Sequence, residues 1–219
     1  MVSLLTLDKE GLLSALLLGV FLVVLGGNLW WLFLILMLIF LIFSAIVTNF
    51  NKNKKKAYGI YEGTRGWKNV AANGIIPLFI VILYALRSFL GINSTAVIFA
   101  FAAAVAAITA DKFSSEIGVL QRKAFTLFGM RKVNAGTSGA VSLLGFIAGF
   151  IGALIIAIFA YLLTGSSALF VITVIAGFFG DLIDSFFGYY EEQGIGSKYT
   201  TNIMCAASAC LLAMLLISL

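Results

Sequence analysis

Apolar residues run along the chain in seven long stretches separated by short polar or charged segments. They predict helices at about 9–26, 29–50, 70–90, 94–110, 138–163, 167–188 and 200–218. Each stretch approaches the ~20 residues that a bilayer core demands of one helix. The expected fold is therefore all-α, a polytopic membrane helix bundle of about seven transmembrane helices, with 1–219 as a single integral membrane domain. The first stretch follows Asp8 and Glu10, where a signal peptide would carry a basic start and a small-residue cleavage site, so it reads as a retained helix.

Composition sharpens this reading. Of 219 residues, 62% are hydrophobic and 11% charged, whereas soluble domains carry about 25% charged residues. The chain contains no His, which excludes imidazole bases, His-ligated zinc and the HExxH pattern. Cys205 and Cys210 both lie in the last apolar stretch without CxxC spacing, and they read as core packing.

Charge supplies the orientation. With seven spans, Lys9, Lys52, Lys54, Lys55, Lys56, Arg65, Lys68, Lys112, Arg122, Lys123, Arg131, Lys132 and Lys198 fall on one side and Arg87 alone on the other. The positive-inside rule makes the crowded side cytoplasmic, together with the N-terminus, and puts the C-terminus opposite. The run Lys52-Asn53-Lys54-Lys55-Lys56 reads as a solvated anchor facing anionic headgroups.

Polar residues inside or beside membrane helices are costly and mark function. Four clusters stand out, all mapping to the cytoplasmic half. They are Asn73-Gly74 in the third span, Asp111 to Gly118 at the end of the fourth, Arg131 to Gly139 with Ser142 before the fifth, and Gly180 to Gly188 in the sixth. Gly177, Asp181, Asp184, Ser185 and Gly188 recur at spacings that put them on one helical face. Such a stripe of carboxylates asks for a cation; Asp111 and Ser115 form a similar pair, with Glu116 further round.

The turn Gly136-Thr137-Ser138-Gly139, read as opening the fifth helix with Arg131 and Lys132 just before it, has the makings of a phosphate cradle. Glycine and serine also cap helices for structural reasons, and no Walker A loop occurs. Asp111, Glu116, Asp181 and Asp184 facing such a cradle suggest Mg²⁺ bridging protein and nucleotide oxygens, since Mg²⁺ takes one or two carboxylates plus substrate phosphates. Internal salt bridges from the same acids to Lys112, Arg122 or Arg131 are the alternative.

The succession Arg65 with Asn73-Gly74, Ala-Asp-x-x-x-Ser-Glu-x-Gly at 110–118, Asn-Ala-Gly-Thr-Ser-Gly-Ala-Val-Ser-Leu-Leu-Gly at 134–145, Gly-Asp-x-x-Asp-Ser-x-x-Gly at 180–188, and Asn202 resembles the transmembrane protein 19 family. That family includes the plant phytyl-phosphate kinase, and the resemblance covers about 60–205. The Asp-x-x-x-Ser and Gly-Thr-x-Gly motifs are more distantly similar to those of dolichol and phytol kinases and of CDP-lipid synthases. The resemblance implies Mg²⁺-dependent transfer from a nucleoside triphosphate, CTP favoured, to an isoprenoid monophosphate such as phytyl or geranylgeranyl phosphate. It implies Asp111, Glu116 and Asp184 as catalytic groups, and metal binding by these three with Asp181. Nucleotide and phosphate binding would fall to Arg65, Asn73, Lys112, Ser115, Arg131, Lys132, Asn134, Gly136, Thr137, Ser138, Gly139, Ser142, Ser185 and Asn202.

A prenyl monophosphate is largely deprotonated at neutral pH, its second pKa being about 6. It needs no general base, so a chain without His can perform the transfer. A CDP-lipid-type cytidylyltransferase and a cation-coupled transporter are the competing readings. No nucleic-acid partner is expected, and a homo-oligomer is compatible with the chain.

Overall fold

The computed structural model describes residues 6–61, 63–121, 123–127 and 130–219; Arg122, counted above among the cations, lies outside them. The helices are α1 (Lys9–Leu25), α2 (Trp30–Asn49), α3 (Lys52–Ala57), α4 (Trp67–Ala85), α5 (Arg87–Leu90), α6 (Ser94–Gly118), α7 (Leu143–Thr164), α8 (Ser167–Glu192) and α9 (Lys198–Ser218). Among the described residues, six helices are long and apolar enough to cross a bilayer. The seventh expected span, α1, has 17 residues, at the lower end of the spanning range.

Local chemistry starts these helices where it should. Asp8, Asn93, Ser142 and Ser166 each accept a hydrogen bond from a backbone N–H of the first turn, and Ser197 forms a capping box with Thr200. Pro77 sits inside α4 without ending it.

The bundle is built around α6, which packs against α2, α4, α7, α8 and α9. Its stretch Phe101 to Ala107 is almost wholly inaccessible and mostly alanine, the composition that lets membrane helices approach closely. Glycine does the same on the partner side. A Cβ at Gly180 would lie 2.5 Å from Ala107 Cβ and 2.7 Å from the Cys205 carbonyl. Cys205 is buried in this core, and the Cys210 thiol donates to the Ala100 carbonyl, as core packing expects.

The expected helix at 70–90 divides into α4 and α5, and two further boundaries that differ bear on the site. Helix α6 ends at Gly118 rather than near 110, and it carries Asp111 and Ser115 as the i, i+4 pair that their spacing predicts. Conversely, the turn at 136–139 does not open the fifth helix: α7 begins at Leu143, with Ser142 as its cap. Gly136 and Gly139 have φ of +94° and +69°, conformations that a right-handed helix does not contain.

Between α6 and α7 the chain forms a small antiparallel sheet of β1 (Lys123–Thr126), β2 (Lys132–Asn134) and β3 (Ala140–Val141), in the order β2-β1-β3. Lys123 pairs with Asn134, and Phe125 with both Lys132 and Val141. The sequence reading placed only a connection here, because strands this short carry too few residues to show alternation.

Candidate functional site

A cavity of about 400 Å³ opens where α6 ends, α7 begins and α8 meets the start of α9. Asp111, Ser114 and Ser115 reach it from α6, Asp181, Asp184 and Ser185 from α8, and Lys198, Thr201 and Asn202 from α9; Arg65 and the turn at Gly136 to Gly139 complete the wall. Helices α6 and α8 pack side by side, so residues one or two turns apart on each project into the same gap.

One half of the cavity is acidic. The carboxyl groups of Asp111 and Asp184 come within hydrogen-bonding range of each other, with Thr201 beside Asp184. Asp184 Oδ1 is buried without a hydrogen-bond partner among the described residues. Asp181 accepts from Ser114 Oγ at 2.6 Å. Its other oxygen occupies space left by glycine, since a Cβ at Gly149 would lie 2.2 Å from Asp181 Oδ2.

The other half is cationic and is organised by Glu116. Lys55 Nζ lies 2.7 Å from its Oε2, and Lys112 Nζ and Arg65 Nη2 lie 2.6 and 2.8 Å from its Oε1. Thr48 Oγ1 also donates to it, at 3.1 Å. Three cations thus meet one carboxylate in a largely buried setting, where loss of Glu116 would leave all three without their shared counter-charge.

The backbone of Arg65 is clamped in place. Its N–H donates to the Thr6 carbonyl and its carbonyl accepts from Asp8 N–H. A side chain at Gly11 would close that contact, its Cβ falling 2.5 Å from the Arg65 carbonyl oxygen.

Glycines let the turn at 136–139 dock flat on α8. A Cβ on Gly139 would lie 2.3 Å from Tyr189 N, and one on Gly188 would lie 2.5 Å from Gly139 N. The Ser138 N–H donates to Glu192 Oε2 at 3.2 Å and its hydroxyl to Glu191 Oε1 at 3.0 Å. Thr137, Gly136 and Gly139 face the cavity.

Most residues named from the sequence therefore converge. Arg65, Asp111, Ser115, Glu116, Gly136, Thr137, Ser138, Gly139, Ser142, Asp181, Asp184, Ser185 and Asn202 all line one space. Asn73 stands just behind, accepting from Asn202 Nδ2 at 3.4 Å, and Lys112 is buried against Glu116 rather than lining the cavity.

Three expectations need correction. Arg131 and Lys132 are exposed, the first just before β2 and the second at its start, and neither lines the cavity. Asn134, also exposed, lines an adjoining groove with Thr137 and Ser138 instead. Glu116 has both oxygens held by cations, so a metal ion there would have to displace ammonium and guanidinium groups; its geometry is that of an ion-pair centre.

Some functional groups escaped the sequence reading. Lys55 belongs to a run whose composition predicts a solvated anchor, yet it is wholly buried and donates to the Val47 and Thr48 carbonyls as well as to Glu116. Ser114, Lys198 and Thr201 also join the site. Only Ser114 had a signal, its i, i+4 relation to Gly118 on the face toward α7.

Among the described residues no three acidic or thiol side chains are already gathered in a metal-ligand arrangement. The donor set nonetheless suits a hard divalent cation. Asp111 and Asp184 are two carboxylates lining the same cavity, one with an unpartnered buried oxygen, among several hydroxyls. Mg²⁺ completes such a pair with phosphate oxygens and water.

The profile of a family described as integral membrane protein DUF92 matches residues 1–216. An uncharacterized membrane protein of Methanocaldococcus jannaschii is 38% identical over 160 residues, covering 73% of this chain and 63% of that relative's length. The chain thus spans less than two thirds of that protein. No solved structure matches.

Proposed function

The chain belongs to the DUF92 family of integral membrane proteins, and from that premise we propose that it is a metal-dependent lipid phosphate kinase, moving the terminal phosphate of a nucleoside triphosphate to an isoprenoid monophosphate. CTP is the favoured donor and phytyl or geranylgeranyl phosphate the favoured acceptor, following the resemblance to the transmembrane protein 19 family. The observation that carries the reading is the division of one cavity into an acidic half at Asp111 and Asp184 and a cationic half at Arg65 and Glu116. A site that must join two phosphate groups needs both a cation holder and fixed positive charge.

In the reaction, an oxygen of the lipid phosphate forms a bond to the terminal phosphorus of the nucleotide. The bond from that phosphorus to the bridging oxygen breaks, and its electron pair leaves with the nucleoside diphosphate. The acceptor is already deprotonated, so catalysis reduces to alignment and charge neutralisation. Asp111 and Asp184, with Asp181 adjacent, are the residues that would hold Mg²⁺, which when bound shields the negative charge of the phosphates. Arg65 and Lys198 attract the phosphates from the cavity wall. Glu116 holds Lys55, Lys112 and Arg65 in place rather than the metal. The bundle end bearing the cavity is proposed to face the cytoplasm, where the Lys and Arg excess falls.

The test uses purified protein in detergent with Mg²⁺, geranylgeranyl phosphate and γ-labelled CTP or ATP. Label in a lipid diphosphate is the expected result. Label entering lipid only from α-labelled CTP would make the protein a CDP-lipid synthase, and no transfer from either label would overturn both.

A further inference from the structure

A polar cavity on membrane helices poses a geometric question, namely where the hydrocarbon chain of a lipid substrate leaves it. Among the described lining residues on bilayer-crossing helices, the two large apolar ones are Phe146 on α7 and Leu182 on α8. The rest are glycine, hydroxyl, amide or charged residues. Phe146 belongs to both environments, since it lines the cavity and is 48% exposed on the outer face of its helix.

From Phe146 an aromatic track continues. Its ring packs edge-on against Phe178 at 4.7 Å, and Phe178 packs edge-on against Phe150 at 5.7 Å. Phe150, four residues further along α7, is 43% exposed. One helical turn is about 5.4 Å, so the track runs from the cavity toward the interior of the bilayer rather than back to the headgroups.

We infer that the hydrocarbon chain of the lipid phosphate leaves the cavity between α7 and α8 over Phe146 and Leu182 and lies along the Phe146, Phe178 and Phe150 track. This rests on the lipid phosphate reading above. Among the described lining residues, Ile60, Val119 and Val141 are also apolar but lie outside the bilayer-crossing helices, so an amphiphile whose phosphate meets Arg65 and the acidic pair follows Phe146 and Leu182 to reach surface facing the lipid. The chain remains solvated by the bilayer on its other side, which makes the site tolerant of length beyond the track.

Two measurements test this. Photo-crosslinking of the wild-type protein with a geranylgeranyl phosphate bearing a diazirine along its chain is expected to label α7 and α8 around Phe146 and Phe150; labelling confined to α1, α2 or α4 would overturn the inference whether or not turnover is seen. In kinetics, Phe146→Trp is expected to raise the KM for geranylgeranyl phosphate about tenfold, while the KM for the nucleotide and for short-chain isopentenyl phosphate stays within twofold. Phe79→Trp, at a bilayer-exposed position away from the cavity, is the control. Absence of any phosphate transfer would count against the kinase reading alone, whereas transfer with unchanged KM in Phe146→Trp would leave the kinase reading standing and overturn the tail path.

Discussion

Lys55 Nζ stands 2.7 Å from Glu116 Oε2 and donates as well to the carbonyls of Val47 and Thr48 at 2.7 and 3.1 Å. One ammonium group therefore closes the C-terminal end of α2, anchors the short helix α3 and pairs with a carboxylate on α6. Truncating it leaves a buried carboxylate short of a partner and helix carbonyls unsatisfied.

Lys55→Met is accordingly expected to destabilise the protein by about 1–3 kcal/mol, read as a fall in Tm in detergent. Lys54→Ala, at an exposed position of the same run, is expected to leave Tm unchanged. Equal shifts for the two would show that Lys55 is not the buried partner of Glu116.

Asp184→Asn and Asp111→Asn are expected to cut phosphate transfer at least about a hundredfold while the protein stays folded. At Asp184 the amide keeps the shape of a group whose Oδ1 has no partner to lose. Activity and Tm measured together check this, and full turnover in both variants would remove the acidic pair from the site.

Gly149→Ala tests the fit of Asp181. The added methyl would stand 2.2 Å from Asp181 Oδ2, so the carboxylate must move or the helices must part. A loss of about 1–3 kcal/mol together with reduced turnover is expected, and wild-type Tm with wild-type activity would refute the close contact.

Arg65→Ala should abolish transfer, since the side chain both lines the cavity and pairs with Glu116. Arg131→Ala and Lys132→Ala should retain near wild-type rates because both residues are exposed and do not line the cavity. Labelled-nucleotide transfer by the three variants decides this, and a severe loss in Arg131→Ala would restore it to the phosphate site.

Nucleotide binding gives a readout independent of turnover. CTP with Mg²⁺ at a hundred times its Kd should stabilise the folded protein by about 2.7 kcal/mol, seen as a raised Tm. Adding a chelator in excess of the metal should abolish most of that rise. An undiminished shift would argue that the nucleotide binds without a metal.

The amino-acid sequence alone determined what is governed by neighbours within a few residues. Long apolar stretches set the number and order of the helices, because burial in lipid demands an uninterrupted run, while the polar ends of α6 and α7 fell five to eight residues from the expected boundaries. The spacing of Asp181, Asp184 and Ser185 put them on one face because a helix repeats every 3.6 residues. Both were legible without any partner in view.

Tertiary structure decided the rest, because it depends on which distant segments meet. That Lys55 alone of its run is buried follows from the turn at Asn51, with φ of +50°, which folds α3 back onto the end of α2 beside Glu116. That Glu116 pairs with cations while Asp184 keeps an open oxygen follows from their facing different neighbours, α2 to α4 for one and α9 for the other. The docking of Gly139 on Gly188, the small sheet between α6 and α7, and the meeting of Phe146 with the cavity arise from contacts between separate segments of the chain, which periodicity within one segment cannot register.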